Sequence, residues 1–133
     1  MKHYKHSYAE LAKIGRRYYN DTNFCGVVAV AVTCRLSFGK ARSLYQQQGR
    51  KHGRGVTVRL MNKIIESVGR STDLVKTELN GRTMNTVLRQ CHTWQGDYIV
   101  ILTDHVASIR DGICEDWTAT GSRKKIYGIL KVS

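Results

Sequence analysis

Apolar and polar positions alternate differently in the two halves of the chain. In the first half the apolar residues recur at helical spacing. Ser7-x-x-Glu10 has the form of a capping box and opens a short helix to about Arg16. A polar break at 20–24 follows. The run at 26–32 is then almost wholly apolar. Its valines favour a strand by propensity, but it is too continuous for a half-exposed strand, and a buried helix is predicted over 25–35. Ser37 caps a further helix to about Gln48. Thr57 caps another through about Val68, with Val58, Met61, Ile64, Ile65 and Val68 on one stripe.

In the second half the period shortens. Residues 73–79 alternate weakly, and 83–90 reads as a short helix. Residues 98–110 read as one long strand, and Asp111-Gly112 is a hairpin turn signal. Residues 113–118 form the returning strand and 126–132 the last one. Helices first and antiparallel strands second predict an α+β domain, with the N-terminal helices packed on a C-terminal sheet.

With 133 residues the chain fits one domain over 1–133 and can bury one sizeable core. It has no proline, no repeat and no low-complexity segment. The longest apolar run falls far short of the ~20 residues that span a bilayer, so no membrane association is expected. The basic first residues lack the apolar stretch of a signal peptide, which predicts a cytoplasmic protein and free thiols at Cys25, Cys34, Cys91 and Cys114. No pair of cysteines has C-x-x-C spacing, and neither a metal nor another cofactor is expected.

Charge adds a partner class. The net charge is +12, and residues 35–70 carry nine Lys/Arg against the single acid Glu66. The basic stretch centres on a glycine-rich loop at 49–55, which makes Arg50, Lys51 and Arg54 anion-binding candidates. It favours nucleic acid, an acidic protein or an anionic wall polymer, although no nucleic-acid motif accompanies it.

Candidate chemistry starts from the hairpin. With a two-residue turn at Asp111-Gly112, Arg110 pairs with Ile113, Ile109 with Cys114, Ala107 with Asp116 and His105 with Thr118. This register puts Ile99, Ile101, His105, Ala107 and Ile109 on one face with Cys114, Asp116 and Thr118, and sends Asp104 and Glu115 to the other. That apolar face is expected to pack on the helices. His105 and Asp116 are diagonal neighbours there, and a carboxylate beside an imidazole fixes its tautomer and steadies its protonated form. Cys25 stands at a predicted helix start, where the helix dipole favours a thiolate. Gly26 next to it leaves room for a substrate backbone. Cys34, Cys91 and Cys114 read as buried small hydrophobes, and His3, His6, His52 and His92 as surface residues. If the chain is instead an interaction protein that merely keeps the fold, Trp94 and Trp117 are expected to be interface anchors, with Trp117 equally a lid on the His105–Asp116 pair.

Three segments resemble a known family. Asn23-Phe24-Cys25-Gly26-Val27-Val28-Ala29-Val30-Ala31 is similar to the Cys-Gly-x-x-Ala helix starts of papain-like cysteine peptidases. Gly96-Asp97-Tyr98-Ile99-Val100 with His105-Val106-Ala107-Ser108-Ile109 resembles their histidine strand, and Asp111-Gly112-Ile113-Cys114-Glu115-Asp116-Trp117 the return that ends in the third catalytic residue. The order Cys, His, Asp is the same. The closest likeness is to compact members: peptidase domains of bacteriocin exporters, NlpC-type wall peptidases and small phage hydrolases. The resemblance implies a papain-like fold and a hydrolase that cleaves an amide or peptide bond, with Cys25 as nucleophile, His105 as base and Asp116 orienting it. Many members carry a glutamine shortly before the cysteine as an oxyanion donor. This chain has none, and Asn20, Tyr19 or Asn23 is the candidate in its place. The alternative is a basic binding module for nucleic acid or an acidic protein on the same fold, without chemistry.

Overall fold

The longest apolar run of the sequence lies at the centre of the molecule. A computed structural model describes residues 8–133. The Ser7 cap, His3 and His6 lie outside the described residues. Helix α1 (Tyr8–Tyr18) precedes α2 (Cys25–Thr33), in which Gly26–Thr33 are all buried. A helix apolar on every side is stable only when covered on every side. Here α1, α3 (Phe38–Gln47), α4 (Val58–Ser67) and the sheet cover it. This burial outweighs the strand propensity of its valines. Ser37 caps α3 by accepting the Lys40 N–H, and Thr57 caps α4 by accepting that of Leu60, each at 3.1 Å.

The rest is β1 (Thr72–Val75), α5 (Met84–Gln90), β2 (Asp97–Leu102), β3 (His105–Arg110), β4 (Ile113–Glu115) and β5 (Ile126–Val132). The five strands form one antiparallel sheet in the order β1-β5-β2-β3-β4. Leu11, Val27, Val30, Phe38, Met61 and Ile65 pack on the face that carries Ile99, Leu130 and Val132. Met84, Val87 and Trp94 cover the opposite face, against Val100, Ala107, Ile109 and Ile129. The fold is thus α+β with N-terminal helices on an antiparallel sheet.

Several expectations change. Residues 98–110 are not one strand. A two-residue turn at Thr103-Asp104 folds them into β2 and β3, with Leu102 opposite His105 and Asp104 in left-handed backbone at φ 53°. The turn reverses the facing of β2 relative to β3. Ile99 and Ile101 therefore face the helical layer, while Ala107, Ile109 and Cys114 face the α5 layer. The face that holds Ala107 and Ile109 is not the one that carries α2. The hairpin at Asp111-Gly112 keeps the expected register, Arg110 opposite Ile113 and Ile109 opposite Cys114. Its two residues at φ 49° and 82° give the primed turn that twisted hairpins favour. The returning strand ends at Glu115 rather than 118, and Trp117–Thr120 winds into a 3₁₀ turn. The helix from Cys25 ends at Thr33, not 35. Trp94 is no interface anchor: it is 6% exposed, with its ring 5.0 Å from that of Tyr98.

Candidate active site

Cys25 is the first residue of α2 and His105 the first of β3, and the two meet at the end of the sheet rather than across its face. Phe24 caps α2 without a side-chain hydrogen bond, so the first N–H groups of the helix lack an intrahelical acceptor and a side-chain cap. Together with the helix dipole they make a positive environment around the thiol.

His105 bridges two partners. Its Nε2 lies 2.8 Å from Asp116 Oδ2, and its ring lines the same two cavities as the Cys25 thiol. With Nε2 occupied by the carboxylate, Nδ1 is the nitrogen left for Cys25. Asp116 sits beyond the end of β4 and caps the 3₁₀ turn at Trp117–Thr120. The same Oδ2 accepts the Thr118 N–H at 3.0 Å and the Thr118 hydroxyl at 2.6 Å. Both His105 and Asp116 are buried. Trp117 is 47% exposed and lays its ring 4.9 Å from the His105 ring, inclined at 45°.

The electrostatics follow from these contacts. Burial pushes the Cys25 thiol up. The His105 hydrogen bond, the Val106 backbone N–H and the His105 charge outweigh it against the opposing Asp116 charge, so the thiol lies below its ordinary value. Burial pushes His105 down, but hydrogen bonds and charges from Asp116 and Cys25 raise it to about 9. Each group of the pair thus favours the charged form of the other. The other thiols move the opposite way. Burial raises Cys34 and Cys91, and burial with the Asp116 charge pushes Cys114 up to about 12.

Two cavities meet at this pair. One, of about 310 Å³, is walled by Arg16, Phe24 and Trp117. The other, of about 400 Å³, is walled by Gly55, Val56, Val58, Ile101 and Val106. Asn23, Cys25, Asp104 and His105 line both. Gly26 does not leave room for a substrate: a Cβ there would stand 2.1 Å from Val56 Cγ2, so the glycine makes room for Val56.

The oxyanion candidates separate. Tyr19 turns toward α3, with its ring 5.5 Å from that of Phe38 and the Arg42 guanidinium 5.0 Å above it. Asn20 is exposed and lines neither cavity. Asn23 lines both, and its Nδ2 donates to Gly53 O at 2.9 Å. The anion-binding candidates separate too. Lys51 and Arg54 are exposed, but Arg50 is buried and donates to Asp21 from Nη1 at 2.9 Å and from Nη2 at 3.2 Å. Arg50 is a buried ion-pair partner, not an anion-binding residue, because its donors are already satisfied. Asp21 is the functional-site neighbour that sequence reasoning missed. A signal for it existed: it is the only acid between Glu10 and Glu66 in a strongly basic stretch. Among the described residues no group of three His, Cys, Asp or Glu side chains is placed to hold a metal. No described helix is long and apolar enough to cross a membrane.

Comparison with protein-family models, with curated proteins and with solved structures finds no match to this chain.

Proposed function

We propose that this protein is a papain-like thiol hydrolase acting on an amide or peptide bond. The observation that carries the reading is one imidazole, held on Nε2 by a buried carboxylate and lining the same two cavities as a thiol at a helix start. Cys25 Sγ attacks the carbonyl carbon, and the new C–S bond pushes the π pair onto oxygen. The helix-start N–H of Cys25 steadies that oxyanion. His105 gives its Nδ1 proton to the leaving nitrogen, the C–N bond breaks, and a thioester remains on Cys25. His105 then takes a proton from water, which attacks the thioester and releases acid and thiol. An amine entering in place of water makes the same site a transferase. Asp116 holds the ring and its charge throughout. An aliphatic wall on one side and Arg16 with Trp117 on the other suit a peptide substrate with an apolar group and an acidic or polar one flanking the bond.

The test is site-resolved alkylation of the native protein by iodoacetamide at about pH 6, where a thiol of pKa ~8.5 is almost unreactive. Cys25 is expected to label rapidly, Cys34, Cys91 and Cys114 slowly, and His105→Ala to abolish the difference. Equal slow labelling of all four thiols defeats the proposal.

A further inference from the structure

We propose that Asp21 is a positioning residue for this chemistry, and that the side chain it positions, through Gly53, is the Asn23 amide as second oxyanion donor. The inference rests on the thiol-hydrolase reading and adds to it the group that stands in for the absent glutamine.

The segment 20–24 leads directly into Cys25 and contains two non-glycine residues in left-handed backbone, Asn20 at φ 49° and Asn23 at φ 52°. Such a path persists only where its surroundings fix it. Asp21 supplies the fixing. It is 1% exposed, and both of its carboxylate oxygens are saturated. Oδ2 accepts from Arg50 Nη1 at 2.9 Å and Arg42 Nε at 2.8 Å. Oδ1 accepts from Arg50 Nη2 at 3.2 Å and from the N–H groups of Gly53 and Thr22 at 2.8 Å each. Arg50 closes the clamp by donating to Thr22 O at 3.1 Å and to Arg54 O at 2.7 Å. The loop before the nucleophile is thereby bolted to the loop 49–55.

The connection to Asn23 runs through one peptide unit on each side of Gly53. Gly53 gives its N–H to Asp21, and its carbonyl takes one hydrogen of the Asn23 amide. Gly53 has φ 78°, and a Cβ there would approach Thr22 Oγ1 to 3.3 Å, so glycine lets the two loops close. The second hydrogen of Asn23 Nδ2 remains for a ligand in the cavities that Asn23 lines with Cys25. A donor held this way needs no reorganisation when charge develops on a carbonyl oxygen, the condition for oxyanion stabilisation. The charge of Asp21 does not oppose that anion, because two guanidiniums neutralise it.

The experiment compares two reagents on Cys25, each corrected by the Cys25→Ala protein. Iodoacetamide alkylates by displacing iodide and forms no oxyanion. p-Nitrophenyl acetate acylates: the Sγ–C bond forms, the π pair moves to oxygen, and collapse expels p-nitrophenolate. Asn23→Ala is expected to lower the acylation rate constant about 100-fold and leave the alkylation rate and its pH profile within about twofold. Asp21→Asn is expected to lower acylation similarly, and to add little in the Asn23→Ala background, since it acts through that amide. If near-ultraviolet circular dichroism shows Asp21→Asn unfolded, Arg42→Ala, which keeps the Asp21–Arg50 pair, takes its place with a smaller effect. Unchanged acylation in Asn23→Ala overturns the donor assignment while parent reactivity keeps the hydrolase reading. Full additivity of the Asp21→Asn or Arg42→Ala effect overturns the positioning role. A parent Cys25 inert to both reagents overturns the hydrolase reading, and this proposal with it.

Discussion

Cys25 and Cys114 are both partly buried thiols near Asp116, yet their surroundings drive them in opposite directions. Burial raises both, but at Cys25 the hydrogen bond and charge of His105 help to outweigh it, whereas at Cys114 the Asp116 charge adds to it. The histidine is thus the residue on which the thiol chemistry turns, and Asp116 is what keeps it protonated. Replacing Asp116 by Asn removes an opposite charge at hydrogen-bond distance, a change that moves a histidine by about 1–3 units. The His105 ring, followed by NMR, is expected to titrate near 9 in the parent and about 1–3 units lower in Asp116→Asn. An unchanged titration would show that burial and Cys25 alone set the ring. The sign for stability follows from linkage. His105 is raised above its unfolded value of ~6.5, so its pairing with Asp116 stabilises the fold fully below ~6.5 and loses that contribution as pH rises through about 9.

At the scale of elements, α2 shows how closely the helix that begins at Cys25 is fitted to its neighbours. Tyr45 donates its hydroxyl to Gly26 O at 3.0 Å, and Val56 fills the space where a Gly26 Cβ would stand. Gly26→Ala is therefore an overpacking substitution, expected to cost about 1–3 kcal/mol in urea unfolding. Val56→Ala should recover most of that cost in the double variant, which ties the loss to this contact and not to the helix itself. The same elements show what the sequence discloses. Ser37 and Thr57 mark the starts of α3 and α4, because a cap is a local hydrogen bond and leaves a local signature. Asp111-Gly112 marks its hairpin and register for the same reason. The turn at Thr103-Asp104 left no such mark. Neither residue is glycine, Asp104 adopts left-handed backbone without one, and apolar strand formers stand close on both sides. Only length betrayed it, since a 13-residue strand is about twice the usual one. The pairing next to the Asp111-Gly112 turn survived the missed turn, but the expected pairs Ala107–Asp116 and His105–Thr118 did not form: the ladder stops at Ser108–Glu115, and Asp116 reaches His105 from the cap of the 3₁₀ turn. The sheet face that receives α2 did not survive, because that depends on how β2 enters.

For the whole molecule, the net charge of +12 is a poor guide to where cations act. Arg50 sits in the middle of the most basic stretch, yet it is buried on Asp21, and Arg35 and Arg70 are drawn to Asp97 at 3.3 and 3.1 Å. Long-range ion pairing of this kind cannot be read from a run of charges, since it joins residues that only the fold brings together. It also predicts how the fold responds to acid. Burial pushes the Asp21 carboxyl up, but Arg50, Arg42 and the N–H groups of Gly53 and Thr22 together hold it well below the usual carboxylate range. His52 stands 3.9 Å away and takes a hydrogen bond from Arg42 on Nδ1. A carboxyl lowered in the folded state stabilises it above the unfolded value of ~3.9 and loses that contribution as pH falls below it. Asp21→Asn leaves the Arg50 guanidinium buried without its counter-charge, which costs about 3–5 kcal/mol near neutral pH. The gap in unfolding free energy between parent and Asp21→Asn, measured in urea, is expected to be widest at pH 5–7 and to narrow as pH is lowered below about 4. A gap that stays constant with pH would mean that the Asp21 charge contributes nothing and that shape alone holds the two loops together. A narrowing gap would identify this buried carboxylate, 4 residues from Cys25 in the chain, as an acid-labile link between the fold and its site.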